Sequence, residues 1–180
     1  VSNAASDLTD IHAREAIRRI CRYLPEAVAR PENRAVRQQV MFGSLSAGLA
    51  FSNASLGAVH AMAHSVGGMF DLPHGECKSL LVDHVMRFNW PWAGHRYREL
   101  APVFGLPLDG MDAEEVCEGV VGAVGRFKRH LGITASLAGR GVREEDIPHL
   151  SRMAVNDPCM ATNPVPPSIH DVEMVYAQAL

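Results

Sequence analysis

The sequence predicts an all-α protein in which residues 1–180 form a single multi-helix domain. Apolar residues recur at spacings of three and four through most of the chain, which is the pattern of amphipathic helices. Two of these stretches are preceded by side chains that cap helix N-termini. No alternating apolar and polar run is long enough to indicate a strand. We therefore expect about seven to nine helices and no sheet beyond a short hairpin.

The first predicted helix has an apolar stripe opposite a row of arginines, and Pro25 is expected to interrupt it. Residues 1–7 are small and polar, so we expect a flexible lead-in there. The second predicted helix, over residues 36–54, is rich in Gly, Ala and Ser, which let helices approach closely. The stripe of the first helix consists of Ala13, Ala16, Ile17, Ile20 and Leu24.

Three helices and one tight turn are predicted for the middle of the chain. The helices are expected over residues 56–66, 75–88 and 95–104. Gly67, Gly68 and Pro73 favour a turn between the first two of them.

Capping residues mark the later helices. Asp112 and Glu115 have the spacing of a capping box, so a helix is expected to begin there and to stop at Gly132. Residues 144–155 predict another helix, and Ser168 is expected to cap the last one. The segments 132–143 and 157–167 are predicted to be the longest loops.

Composition excludes several classes of function. The net charge is −3, from 17 basic and 20 acidic residues, so nothing indicates nucleic acid or an anionic membrane as a partner. No run of 18 apolar residues occurs, which argues against a membrane-spanning helix. The four cysteines are widely spaced and form no CxxC pair. They predict reduced thiols and a cytoplasmic protein.

Three of the nine histidines lie in one short segment. On a helix, His60 and His64 share a face because they are four residues apart. The predicted turn after them allows His74 to fold back toward that face. Imidazole is the commonest protein ligand for borderline metals such as Fe(II) and Zn(II). The spacing is not the zinc-protease motif, because no Glu follows His60 directly.

The residues alone leave two interpretations of this segment open. The histidines can form a metal site, or they can be structural side chains that are buried and hydrogen-bonded. Cys77, three residues after His74, is the one cysteine that could face such a site. The other six histidines lie in polar, capping or packed contexts and are interpreted as surface or structural residues.

A longer pattern around the histidines resembles a known family. Three consecutive stretches resemble the C-terminal signature of the iron-containing alcohol dehydrogenases. They are residues 55–68, which contain His60 and His64, then Leu72-Pro-His74-Gly-Glu-Cys77, and then residues 80–89. The similarity continues in the same order to Asp157-Pro-Cys-Met-Ala-Thr-Asn-Pro164 and the final helix. It therefore covers essentially the whole chain.

The resemblance implies a fold, a metal and a cofactor. Family members have an N-terminal α/β nucleotide-binding domain and a helical C-terminal domain, with the metal and substrate between them. One Asp and three His hold the metal, which is Fe²⁺ or Zn²⁺. The last two of these histidines match His60 and His74. The residue matching His64 is not a ligand; it lies near the substrate and the nicotinamide and is a candidate proton relay. The metal acts as a Lewis acid while hydride passes to or from NAD(P).

This chain departs from the family pattern in several places. The first two ligands of the family, an Asp and a His, have no counterpart here, and neither do its glycine-rich phosphate loops. Ser65 and Asp83 stand where many relatives carry Pro, and Lys78 stands where many carry Asn. We therefore expect weak or absent metal binding by this chain alone, and no NAD(P) binding.

The sequence thus predicts the metal-binding C-terminal domain of an NAD(P)-linked alcohol dehydrogenase, as a fragment of a longer protein. Its partners are expected to be a small alcohol or aldehyde substrate, an N-terminal nucleotide-binding domain and further copies of the chain as a homo-oligomer. The alternative is a truncated, non-catalytic helical domain for oligomerisation or partner binding. A further alternative is a free-standing metal-binding domain that uses all three histidines.

Overall fold

A computed structural model describes all residues from 1 to 180 and contains seven α-helices, four short 3₁₀ turns and no strand. The all-α prediction is therefore confirmed. No helix is both long and apolar enough to cross a membrane. The helices are α1 (Asp7–Ala29), α2 (Arg34–Ala54), α3 (Ala58–Phe70), α4 (His74–Arg98), α5 (Ala113–His130), α6 (Ile147–Val155) and α7 (Ile169–Ala179).

Proline ended helices less often than the sequence predicted. Pro25 lies inside α1, and Pro91 lies inside α4. This helix covers the one predicted over residues 75–88 and only the first part of the one predicted over 95–104, since residues 101–104 form a separate 3₁₀ turn. An internal proline removes one backbone hydrogen bond and costs about 3 kcal/mol. In α4, Asn89, Ala93 and Tyr97 are buried on both sides of Pro91, so packing outweighs that cost.

The predicted capping residues lie where they were expected. Asp112 accepts hydrogen bonds from the backbone of Glu114 and Glu115 and starts α5. Ser168 accepts a hydrogen bond from Asp171 N and starts α7. Both form complete capping boxes, which satisfy donors that a helix N-terminus otherwise leaves free.

The chain forms two compact units, one of residues 56–97 and 133–180 and the other of residues 2–55 and 98–132. The assignment of all 180 residues to one metal-binding domain, with a flexible lead-in, stays a prediction.

The first unit holds the histidine segment and an apolar core drawn from α3, α4, α6 and α7. Its largest fully buried side chains include Met62, Leu81, Leu150 and Tyr176. The Tyr176 hydroxyl donates a 2.8 Å hydrogen bond to Met62 O. This bond attaches the last helix of the chain to α3, which carries His60 and His64.

In the second unit, α1 packs along α2. Gly43 packs tightly against α1, because a Cβ at that position would be 3.1 Å from Arg19 Cβ and Ile20 Cδ1. Gly43 thus permits the close packing that the sequence predicted, whereas a Cβ at Gly48 would meet no atom within 4 Å.

Candidate metal and substrate site

The three histidines lie on two consecutive helices joined by a three-residue turn. His60 and His64 are on α3, and His74 is the first residue of α4. Gly67 and Gly68, which were predicted to form the turn, are instead inside α3, which continues to Phe70. The chain reverses at residues 71–73, where Asp71 adopts the left-handed conformation (φ 52°) that ends a helix.

This turn brings the three imidazole rings together. Ring centroids are 5.4 Å apart for His60 and His74, 5.1 Å for His64 and His74, and 6.1 Å for His60 and His64. His60 is half-buried, whereas His64 and His74 are exposed. The structure therefore brings all three sequence-predicted site residues into one cluster. Their roles as ligands and proton relay stay predictions.

A distant side chain fixes the start of α3. The N-cap residue Gly57 has no side chain that could cap the helix. Asn163 takes this role, because its Oδ1 accepts a 3.1 Å hydrogen bond from Ala58 N. Gly57 is needed here for space, since a Cβ would lie 3.1 Å from Asn163 Oδ1.

Asn163 also connects this helix start to α4. Its Nδ2 donates to Asn89 Oδ1 at 2.8 Å and to Val165 O at 2.8 Å. Asn89 Nδ2 donates in return to Asn163 Oδ1 at 3.1 Å. Both side chains are buried, so the pair is a fully hydrogen-bonded polar contact inside an apolar core.

Burial keeps His60 neutral. Desolvation, together with the positive charge of Lys78 and the neighbouring imidazoles, lowers the pKa of His60 to about 4. The same causes lower the pKa of His74. A metal binds the neutral form of imidazole, so both rings are in the state that coordination requires near neutral pH.

Lys78 is the closest cation to the cluster. Its Nζ lies 3.5 Å from His60 Nε2. Lysine can only donate hydrogen bonds, so in this contact Nε2 acts as the acceptor through its lone pair. The ammonium group and a metal ion cannot both use that lone pair.

Asp157 orients His64. Its Oδ2 lies 2.8 Å from His64 Nδ1, and its Oδ1 accepts a 2.8 Å hydrogen bond from Cys159 N. Burial alone raises the pKa of Asp157, but these hydrogen bonds outweigh it and hold the pKa below its usual value. An ionised carboxylate only accepts, so Nδ1 of the neutral imidazole carries the proton and Nε2 is free to exchange one.

Sequence reasoning gave no role to Asp157, Cys159 or Asn163. Asp157 is 93 positions from His64, and Asn163 is 105 positions from Ala58, so no local spacing indicates these contacts. Cys77 is the one cysteine that the sequence pattern allows to face the site. It is buried, and its Sγ lies 3.8 Å from Leu72 O.

The donor set fits a metal only in part. His60 and His74 supply two neutral nitrogens from adjacent rings, which suits iron or zinc. Two protein ligands fall short of the three or four that a stable zinc or iron site uses. The nearby Lys78 ammonium makes the pair less favourable still for a cation.

Comparison with known proteins agrees with this geometry. The sequence profile of the Fe-containing alcohol dehydrogenase family, C-terminal region, matches residues 1–180. The chain belongs to this family. It is thus related to enzymes that interconvert alcohols and carbonyl compounds.

Among its relatives in the family, 1,3-propanediol dehydrogenase of Klebsiella pneumoniae is 36% identical over 179 residues, which is 99% of this chain and 46% of that protein. NAD-dependent methanol dehydrogenase of Bacillus methanolicus is 34% identical over 180 residues, which is 47% of its length. The solved structure of an alcohol dehydrogenase from Oenococcus oeni superposes with a TM-score of 0.96 at 33% identity, covering all of this chain and 47% of that one. The chain therefore spans about half the length of the relatives it matches.

Proposed function

We propose that this chain is the metal- and substrate-binding part of a metal-dependent, NAD(P)-linked alcohol dehydrogenase that interconverts a small alcohol and its carbonyl product. The observation that carries the proposal is the convergence of His60, His64 and His74 within one helix–turn–helix, in a chain of this family. His60 and His74 are assigned to the metal, and His64 is assigned to proton transfer.

His60 and His74 can hold the metal because both imidazoles are neutral and adjacent. An iron or zinc ion held by these two residues would supply Lewis-acid polarisation of the substrate oxygen.

His64 can move a proton at Nε2, because Asp157 holds the proton on Nδ1 and stabilises the imidazolium that forms when Nε2 accepts another. The ring is 42% exposed, so it can pass that proton on to water. Asp157 is thus a positioning residue for His64.

The chain by itself is proposed to be inactive. It supplies two of the four family ligands and has no glycine-rich loop to cradle a pyrophosphate. Hydride transfer requires the nicotinamide held against the substrate carbon, and positioning of this kind contributes much of the rate.

The test is a chimaera in which this chain replaces the matching C-terminal part of 1,3-propanediol dehydrogenase. We expect metal- and NAD-dependent alcohol oxidation by the chimaera, and no saturable NAD binding by the 180-residue chain in calorimetry. His64→Ala in the chimaera should lower kcat at least about 100-fold, as loss of a proton-transfer group does, while metal content is retained. His149→Ala, a change at an exposed histidine on α6, is the matched control.

Two results contradict the proposal. One is tight NAD binding by the isolated chain, which would mean that the cofactor site lies in this chain and not in the N-terminal domain. The other is a folded, metal-loaded chimaera in which His64→Ala and His149→Ala have equal activity.

The alternative of a non-catalytic packing domain is supported by one surface. Met41, Leu45 and Leu49 form an exposed apolar stripe along α2. Such a stripe favours burial against another protein surface. A chimaera that folds and assembles but stays inactive with full metal content would support this alternative instead.

A further inference from the structure

A second group of metal-binding atoms lies beside the histidine cluster. His64, Asp157 and Cys159 each offer one ligand atom, and these three atoms all lie within 4.8 Å of one another. They come from two segments, α3 and the 3₁₀ turn Pro158–Thr162 with its N-cap residue Asp157. Only His64 belongs to the cluster already described.

The two segments are held together independently of any metal. Thr162 Oγ1 donates a 2.8 Å hydrogen bond to Leu56 O, just before α3. Asn163 caps α3 directly. Asp157 and Cys159 are further fixed to each other by the Cys159 N to Oδ1 hydrogen bond of 2.8 Å. The three ligand atoms are therefore placed before an ion arrives, which reduces the cost of ordering them.

The chemistry of the set differs from that of His60 and His74. An imidazole, a carboxylate and a thiolate together suit zinc and the ions that resemble it, because the thiolate favours softer metals. A site of three protein ligands leaves a fourth position for water. His64 is 42% exposed and Asp157 17%, so an ion can enter from solvent.

We propose that His64, Asp157 and Cys159 form a second metal site that takes a thiophilic divalent ion such as Zn²⁺, Co²⁺ or Cd²⁺. On binding, the Cys159 thiol releases its proton to solvent and its sulfur bonds to the metal. The His64 imidazole stays neutral, its proton moves from Nδ1 to Nε2, and Nδ1 becomes the ligand. No electron is transferred.

Occupation of this site has a consequence that rests on the proposed function. A His64 ring bound to an ion through Nδ1 has its proton on Nε2 and loses Asp157 as its hydrogen-bond partner. It can no longer accept a proton at Nε2, so the ion inhibits proton transfer without displacing the metal held by His60 and His74. Binding itself does not depend on the proposed function.

The experiment is a titration of the 180-residue chain with Co²⁺, because a cobalt–thiolate bond gives a near-ultraviolet charge-transfer band that nitrogen and oxygen ligands do not give. We expect the band in the unmodified chain and its loss on adding Zn²⁺. Cys159→Ser, which is nearly isosteric, should abolish the band and weaken cobalt binding at least tenfold. Cys21→Ser, the same change at another half-buried cysteine, should leave the band unchanged.

Further variants separate this site from the first cluster. The double change His60→Ala and His74→Ala should keep the band, and Asp157→Asn should keep it only at higher cobalt concentration. Circular dichroism establishes that each variant is folded. The proposal is overturned if the unmodified chain gives no band, if the band survives in folded Cys159→Ser, or if it is lost with His60 and His74. A positive band in an inactive chimaera would leave this site standing and would refute the proposed function alone.

Discussion

Replacement of Asn163 by Ala should destabilise the unit that contains the histidines by about 3–5 kcal/mol. The change removes the cap of α3, both hydrogen bonds to Asn89 and the hydrogen bond to Val165 O. Three polar groups at buried residues then lose a partner: Ala58 N, Asn89 Nδ2 and Asn89 Oδ1. A buried group without a partner costs about 1–3 kcal/mol. The combined cost for the three groups is taken near the lower end of its range because water can enter the space that the side chain leaves.

Such a loss is a large fraction of the total stability of a domain, which is about 5–15 kcal/mol. Urea unfolding followed by tryptophan fluorescence is a suitable assay. Trp90 and Trp92 are the two tryptophans of the chain, and both lie on α4 in the same unit as the histidines. The signal thus reports the unit in which Asn163 lies.

Two controls make the measurement specific. Asn156→Ala removes an exposed asparagine whose Nδ2 donates to Arg152 O, and we expect a change within about 0.5 kcal/mol. The double change of Asn89 and Asn163 to Ala should cost about 1–3 kcal/mol less than the sum of the single changes, because the hydrogen bonds between these two side chains are lost in each single change and are therefore counted twice in the sum. The reasoning fails if Asn163→Ala is as mild as Asn156→Ala, or if the two single costs simply add.

Two other substitutions test the surroundings of α3. Lys78→Asn should raise the pKa of His60 from about 4, because a nearby positive charge is removed. The pKa should stay below 6.5, because burial is the larger cause of the shift. Histidine NMR titration measures this pKa, and an unchanged value would contradict the role given to Lys78. Tyr176→Phe should lower the free energy of unfolding by about 1 kcal/mol, since one buried hydrogen bond to Met62 O is lost. Denaturant unfolding measures this free energy, and a stabilised variant would contradict the prediction.

Local patterns were sufficient for much of the fold. The capping boxes at Asp112 and Ser168 lie within four residues of sequence, so the sequence shows both the cap and its partner. The helix that carries His60 and His64 was also predictable, because a four-residue spacing determines which side chains share a face. The break predicted between residues 88 and 95 was wrong, because tertiary burial of Asn89, Ala93 and Tyr97 lets α4 continue through Pro91.

Only the part of the candidate site whose residues are close together in sequence could be predicted. His60, His64 and His74 fall within fifteen positions, and a turn between two helices is enough to bring them together. Lys78 is one helical turn beyond His74, yet its approach to His60 depends on how α4 packs against α3. Asp157 and Cys159 reach His64 through the tertiary fold, so no spacing could have indicated them.

The contacts that stabilise the fold are also the contacts that place Asp157 beside His64. Asn163 and Thr162 end the same 3₁₀ turn that Asp157 begins, and both are hydrogen-bonded to the start of α3. Loss of Asn163 therefore removes a hydrogen bond between α3, which carries His64, and the 3₁₀ turn that Asp157 begins, so the 2.8 Å contact between these two residues is less restrained. A variant at Asn163 that still folds should consequently lose cobalt–thiolate binding at His64, Asp157 and Cys159 while His60 and His74, which are joined by the turn at residues 71–73, stay together. The first cluster depends on one local turn, whereas the second depends on the tertiary fold.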